Sequence, residues 1–321
     1  MMLDFLPIFC YTIGIMENID RFNRLNKYLK SKFGERTLKI CIDGGFTCPN
    51  RDGTKGFGGC IFCSEKGSGE HIKSAESISL QIKNYFESYK AERGSKFIAY
   101  FQNFTNTYDS ISNLKSKYDA ALIDDRIVAL DIATRPDCID EDVAKLLKSY
   151  TDKYAVWVEL GLQTSNDETG RLINRGYSSC DFTKAVDILN KYGIDVVAHI
   201  MIGLPGEHKE DLVNTDSYIN KHNIQGLKIH SCYVVRNTML ADMYENGEYQ
   251  PITLDEYLDG ATYVLTHINP DVVIHRISGD APKDLLIAPD WNSHKKWIVN
   301  GLDKKMRDEN LWQGMYFEKT L

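Results

Sequence analysis

Residues 37–63 read TLKICIDGGFTCPNRDGTKGFGGCIFC, and the reading of this stretch decides the fold. Its first seven residues, 37–43, form a buried-strand pattern that runs straight into a loop. Within the loop, Cys48, Cys60 and Cys63 are spaced C-x11-C-x2-C, with Pro49 after the first cysteine and Gly53, Gly56, Gly58 and Gly59 before the second. Such a loop cannot bury a core. Glycine takes positive φ without steric cost, so the backbone can wrap closely around a ligand. Three thiolates can hold an iron–sulfur cluster at three of its irons. Clusters ordinarily take four protein ligands, so a missing fourth leaves one iron open. Structural zinc is the competing reading. It needs a fourth ligand from elsewhere, and tetrahedral zinc sites are usually built from two close pairs, whereas this loop has one C-x2-C pair.

Outward from this strand, five more hydrophobic segments follow: KFIAYFQ (96–102), RIVALDIAT (126–134), YAVWVELGLQ (154–163), GIDVVAHIMIGL (193–204) and GLKIHSCYVV (226–235). Segments with helical spacing separate them, over 76–92, 110–122, from 140 onward, 180–192 and 208–222. Alternating strands and helices predict parallel β/α units, here a partial, open (β/α)6 TIM-like barrel of α/β class. A helix over 253–268, the strand DVVIHRI (271–277) and a helix over 292–309 append to it as a C-terminal α/β extension. The expected organisation is an N-terminal arm and helix over 1–36, the barrel over 37–240, and the extension over 241–321.

In barrels of this kind ligands bind at the C-terminal ends of the strands. Polar residues cluster at those ends: Asp43 after the first strand, Gln102, Asn103 and Thr105 after the second, Thr134 and Arg135 after the third. Glu159 and Gln163 lie on the fourth, His199 and the GLPGE turn (203–207) on the fifth, Lys228 and His230 on the sixth. Six strands ending this way point to a shared site. Each group also has a plainer reading: Glu159 and Gln163 satisfying one another, His199 as a core histidine, GLPGE as a simple turn.

Composition sets the outer limits. The chain has 321 residues, 43% hydrophobic and 26% charged, with a net charge of −7, which does not advertise a nucleic-acid binder. Its eight cysteines are irregularly spaced in a chain too long for a small disulfide scaffold, so a reducing, cytoplasmic compartment is expected. Residues 1–15 are apolar but carry Asp4, lack a basic flank and are too short to span a bilayer. They read either as an upstream start ahead of Met16 or as an arm packing on the domain. Residues 17–33 have helical spacing, with Phe22, Leu25, Tyr28 and Leu29 on one side. Residues 16–40 carry seven Lys/Arg (Arg21, Arg24, Lys27, Lys30, Lys32, Arg36, Lys39) against Glu17, Asp20 and Glu35, so 7 − 3 = +4. This is either a solvated helix face or a nucleic-acid contact.

The ordered motifs CPNRDGT…GGCIFC, YFQNFTNTY, TRPDC, WVELGLQT, INRGY, HIMIGLPGE, LKIH and HRISGDAPKDLLIAPDW resemble the YhcC-like branch of the radical S-adenosylmethionine (SAM) superfamily. That branch is similar in turn to the radical domain of the elongator catalytic subunit. The resemblance covers residues 20–315 and implies a radical SAM barrel in which Cys48, Cys60 and Cys63 hold a 4Fe–4S cluster. The open iron would bind the amino and carboxylate groups of SAM. An external one-electron donor such as flavodoxin or ferredoxin would supply the electron that cleaves SAM to methionine and a 5′-deoxyadenosyl radical. It further implies Gln102 and Thr105 at the methionine end, although YFQNF replaces the common Gly-Gly-Glu type signature. Thr134 and Arg135 would reach the carboxylate or ribose. Glu159 and Gln163 would meet the ribose, Arg175 would counter the carboxylate, and Met201, Gly203 and Leu204 would line an adenine pocket. His199, Lys228 and His230 complete the expected cofactor-binding set. Arg51 and Asp52 would make local bonds in the cysteine loop, and Cys138 reads as a passive loop thiol, with a substrate-side thiol as the alternative.

The same likeness points to tRNA wobble-uridine chemistry, without acetyl transfer because no residues remain for an acetyltransferase domain. The basic segment 16–40, a second cluster (Lys295, Lys296, Lys304, Lys305, Arg307) and the aromatics Tyr100, Phe101, Phe104 and Tyr108 are compatible with a phosphate track and base stacking. Two other readings stay open: a radical SAM enzyme acting on a small molecule or peptide, and a non-catalytic iron–sulfur protein for RNA binding or electron transfer. No membrane partner is expected.

Overall fold

A computed structural model describes residues 20–67, 76–279 and 281–318. The reading of residues 1–15 and the start of the helical segment at 17 lie outside the described residues. Seven strands make one parallel sheet: β1 (Thr37–Ile42), β2 (Lys96–Phe101), β3 (Ile127–Thr134), β4 (Ala155–Gln163), β5 (Asp195–Ile202), β6 (Gly226–Ser231) and β8 (Val273–Arg276). They pair in chain order, so β1 and β8 are the two edges and the sheet curls into a half-barrel. The six expected strands are present. The appended segment 271–277 contributes a seventh, pairing Gly226 with Val273 and Leu227 with Ile274.

Side chains alternate across each strand, and the two faces differ sharply. Outward residues such as Phe97, Ala99, Leu130, Val158 and Leu160 join a core with the covering helices, among them α3 (Ile111–Ala121), α4 (Glu141–Lys148) and α6 (Ser179–Lys191). These helices start where their caps allow. Asp140 Oδ1 accepts from the backbone N–H of Asp142 (3.0 Å) and Val143 (2.8 Å) ahead of α4. Thr253 and Glu256 close a reciprocal capping box on α9 (Leu254–His267).

The inner face is layered. The third residues of β2 to β5, Ile98, Ala129, Trp157 and Val197, form an apolar floor covered by α1 (Leu25–Phe33) through Leu25, Tyr28 and Leu29. The fifth residues are polar: Tyr100, Asp131, Glu159 and His199. The seventh positions of β3 and β4 are small, Ala133 and Gly161, and leave space above the polar layer. Helix α1 is shorter than the 17–33 spacing predicts. Residues 20–24 are not helical; Asn23 and Arg24 instead run alongside β8, with Ile274 N–H donating to the Asn23 carbonyl at 2.8 Å.

Three short features had no periodicity long enough to read: α5 (Asp167–Leu172), α8 (Met239–Glu245), and the antiparallel pair β7 (Val234–Val235) with β9 (Leu286–Ala288). The 226–235 segment therefore divides into β6 and β7. Helix α2 (Ile78–Glu87) follows the cysteine loop, α7 (Lys209–Asn220) follows GLPGE, and α10 (Lys295–Asp308) packs on α9. No described helix is long and apolar enough to cross a membrane.

Candidate functional site

A cavity of about 260 Å³ lies at the C-terminal ends of the strands, and Cys48, Cys60 and Cys63 line one side of it. The loop that carries them is shaped from within. A tight turn follows Cys48, whose carbonyl accepts from Arg51 N–H at 2.8 Å, and the Asn50 carbonyl accepts from Gly59 N–H at 2.9 Å. The INRGY segment (173–177) braces it from outside. Asn50 Nδ2 donates to the Asn174 carbonyl (2.6 Å), Asn174 Nδ2 donates to the carbonyls of Gly59 (2.7 Å) and Phe57 (3.2 Å), and Ile61 N–H donates to Ile173 (3.1 Å). Asn174 holds φ +50°, a left-handed conformation that asparagine tolerates better than most residues.

Burial pushes the Cys60 thiol up to about 12, reinforced by Cys63 and Cys48 and opposed by Arg135 and Arg51. The Cys60 thiol therefore stays protonated until a cation neutralises it. Among the described residues, no three His, Cys, Asp or Glu side chains converge closely enough to hold a single metal ion. Three cysteines lining one side of a cavity suit a cluster, where each binds its own iron.

The cavity floor is the polar layer, extended by Lys39 from β1 and Lys228 from β6. Glu159 is fully buried with both oxygens engaged. Oε1 meets Lys39 Nζ at 2.9 Å; Oε2 accepts from Tyr100 Oη (2.8 Å) and meets Lys228 Nζ and His199 Nε2 (3.0 Å). Lys39 Nζ also reaches Asp131 Oδ2 at 2.5 Å. Burial disfavours the Glu159 charge, but Lys228 and Lys39 outweigh it and hold the carboxyl well below its usual range. Burial, with Glu159 adding, pushes Asp131 up to about 7. Burial also draws Lys228 down to about 8 against the attraction of Glu159. His199 falls to about 4, by burial and then by Lys228, so its imidazole is neutral. A carboxylate can only accept, so Nε2 carries the hydrogen and Nδ1 is the free acceptor.

Of the residues picked from sequence, Gln102, Thr105, Thr134, Arg135, Glu159 and Gln163 line the cavity, as do His199, Met201, Lys228 and His230. Thr105 is 1% exposed and its hydroxyl has no hydrogen-bond partner among the described residues. An orphaned hydroxyl on a cavity wall fits an ammonium donor such as the amino group of SAM. Phe104 (φ +58°) and Gln163 (φ +64°), two of the five non-glycine residues at positive φ among the described residues, also line it. Such backbone strain is common at ligand sites.

The expected contacts of Arg175, Gly203, Leu204 and Glu159 are corrected. Arg175 is fully buried away from the cavity: Nη1 donates to the Leu162 and Thr164 carbonyls (2.6 Å each), Nε to Tyr177 (3.0 Å), and Nη2 meets Asp167 (2.8 Å). It organises the turn after β4 and counters no cavity carboxylate. Gly203 and Leu204 also lie outside the lining; Leu204 packs with Ile61, Ile173 and Met201 beneath the cysteine loop. Glu159, although it borders the cavity, has four donors on its two oxygens, so it organises the floor. Arg135 points its guanidinium at Asp137 (2.9 and 3.0 Å) and the carbonyls of Arg175 and Gly176.

Other assignments changed as well. Phe101 is buried in the outer core rather than available for stacking, and Lys39, counted with the basic N-terminal segment, faces the barrel interior. Cys138, expected to be a passive loop thiol, keeps that reading: it lies outside the cavity lining, and burial with Asp137 raises its thiol to about 12. Tyr177 and Arg276, unselected from sequence, both line the site; each lies inside a quoted motif, which was the available signal.

The family model described as the Radical SAM superfamily matches residues 48–219, and that for the Radical SAM C-terminal domain matches 224–308. The uncharacterized protein YtqA of Bacillus subtilis is 37% identical over 303 residues, 93% of this chain and 94% of that protein. A tRNA uridine(34) acetyltransferase of Methanocaldococcus infernus is 32% identical over 171 residues, 50% of this chain and 30% of that one. Among solved structures, M. infernus Elp3 with an N-terminal deletion has a TM-score of 0.65 at 21% identity, over 86% of this chain and 64% of that chain, a likeness of fold.

Proposed function

The chain belongs to the radical SAM superfamily, and from that premise we propose that it remodels a substituted uridine at the wobble position of tRNA. Enzymes of this family use a 4Fe–4S cluster and SAM. Bound together, the pair supplies one electron for reductive cleavage and a carbon radical that abstracts hydrogen from the substrate. The chain's own residues bind, orient and shield. Cys48, Cys60 and Cys63 hold the cluster, Thr105 and Gln102 receive the amino group of SAM, Gln163 meets the ribose, and Met201 flanks the adenine. The saturated layer around Glu159 closes the cavity from below, which keeps water from a reactive intermediate.

The observation carrying the tRNA reading is the 32% identity, over half of this chain, to a protein named for uridine 34 of tRNA. Nucleoside mass spectrometry of tRNA from cells lacking the gene tests it. Loss of one modified uridine, with accumulation of its precursor, is the expected result; an unchanged profile sinks the reading. A small-molecule or peptide substrate is favoured instead by the net charge of −7. Chemistry and substrate separate in vitro. Anaerobic reduction with SAM should release 5′-deoxyadenosine, and Cys60→Ala should remove both the brown colour and that release. Retained cleavage in Cys60→Ala would refute the cluster assignment.

A further inference from the structure

The gap between the first two cysteines carries a charge that the three-thiolate reading does not use. Arg51 lines the cavity and lies across the loop it belongs to. Its Nη2 donates to the Cys63 carbonyl at 2.9 Å and to the Ser64 carbonyl at 2.5 Å, and its Nη1 to the Glu65 carbonyl at 3.3 Å. It reaches them by passing over Gly59, which holds φ +79° and where a Cβ would stand 2.7 Å from Arg51 Nε. Phe104 shields another side, its ring centroid 5.5 Å from the guanidinium carbon.

All three acceptors are neutral carbonyls, and Arg51 pairs with no carboxylate among the described residues. Arg135 differs: the cavity's other cysteine-side guanidinium is held through two nitrogens by Asp137. Asp137 also meets Lys55 at 2.7 Å, so the contrast is that Arg135 contacts a carboxylate whereas Arg51 contacts none among the described residues. The Arg51 guanidinium is held on the cysteine side of the cavity by its bond to the Cys63 carbonyl. A fixed positive charge beside a redox centre favours the form with one more electron, because reduction adds one negative charge.

We propose that Arg51 raises the reduction potential of the cluster, its guanidinium stabilising the reduced state. The step is one electron passing from an external donor of the small flavin or iron–sulfur protein class to the cluster, with no proton or leaving group. The inference rests on the cluster reading of Cys48, Cys60 and Cys63. Arg51 is a tuning and positioning residue and touches no substrate.

The test is an anaerobic redox titration, followed by electron paramagnetic resonance, of reconstituted full-length protein with measured iron and sulfide content. Arg51→Gln should shift the midpoint potential downward, while Arg51→Lys, which keeps the charge but loses the fork of hydrogen bonds, should stay at the wild-type value. An unshifted Arg51→Gln, or equal shifts in both variants, overturns the assignment. If Arg51→Gln takes up no iron, Arg51→Lys decides: a wild-type potential supports the proposal and a lowered one overturns it. A wild-type protein that forms no reducible cluster would instead refute the cluster reading itself, so the two failures are distinguishable.

Discussion

Glu159 shows how much one side chain can be asked to hold. Two lysines, a tyrosine and a histidine converge on a carboxylate with no solvent exposure. Removing one partner of a buried ion pair leaves an uncompensated charge, which costs about 3–5 kcal/mol. Glu159→Gln should therefore lower unfolding free energy by about that amount. The loss should be smaller when measured in a Lys228→Met background, because one stranded ammonium is gone. Equal losses in both backgrounds would show that the two groups are not coupled. Asp216 gives a pH-dependent counterpart on α7. It is 3% exposed, one oxygen has no partner among the described residues, and burial alone raises its carboxyl from 3.8 to about 7. Between those values the unfolded chain has released a proton that the folded one still holds, so stability falls as pH rises and then levels off. Asp216→Asn should be more stable than wild type at pH 8, with the gap closing toward pH 4. A gap of constant size in thermal melts would contradict the assignment.

At the scale of elements, helices were legible where they were long and capped, and the cysteine loop was legible because its spacing is unusual. Its brace was not. Asn174 acts on Gly59 and Phe57 from 115 and 117 residues away, and no local pattern encodes that contact. Asn174→Gly keeps the left-handed backbone accessible but removes both side-chain hydrogen bonds. The reconstituted variant should lose iron faster than wild type on gel filtration while its unfolding midpoint stays near the parent's. Iron retention equal to the parent's would make the brace incidental. Helix α1 carries a related lesson. Its basic composition suggested a nucleic-acid face, yet Leu25, Tyr28 and Leu29 plug the barrel floor, at the opposite end from the cysteines. Its start at Leu25 rather than further upstream follows from Asn23 and Arg24 running along the β8 edge, a tertiary contact that overrides helical spacing.

At the scale of the molecule, strand order and the strand-end site were readable because each strand declares its own end. The polar layer was readable in part: Glu159, His199 and Lys228 stood out, but Lys39 and Asp131 look like ordinary interruptions of hydrophobic runs until seven strands curl together. The same closure recasts the basic residues. Arg24 pairs with Asp20 and Asp303, Lys27 with Asp20, Lys304 with Asp308, and Lys305 with Asp259 and Glu309. Charges neutralised this way release few counterions on binding a phosphate backbone. Helix α10 runs from the cavity end toward the floor. Just before it, Asn292 bonds Ser231, which lines the cavity, while beyond its other end Asn310 accepts from Arg21 at 3.0 Å. Lys295, Lys296 and the 54% exposed Trp297 therefore sit at the cavity end of this helix. If tRNA is the substrate, its backbone should be felt there. Lys295→Glu with Lys296→Glu should weaken tRNA binding and flatten its dependence on salt by about one unit of slope per lost phosphate contact. Lys304→Glu with Lys305→Glu should change neither. Equal weakening from both pairs would indicate diffuse attraction rather than a docking path, and indifference to both would return the substrate to the small-molecule or peptide class.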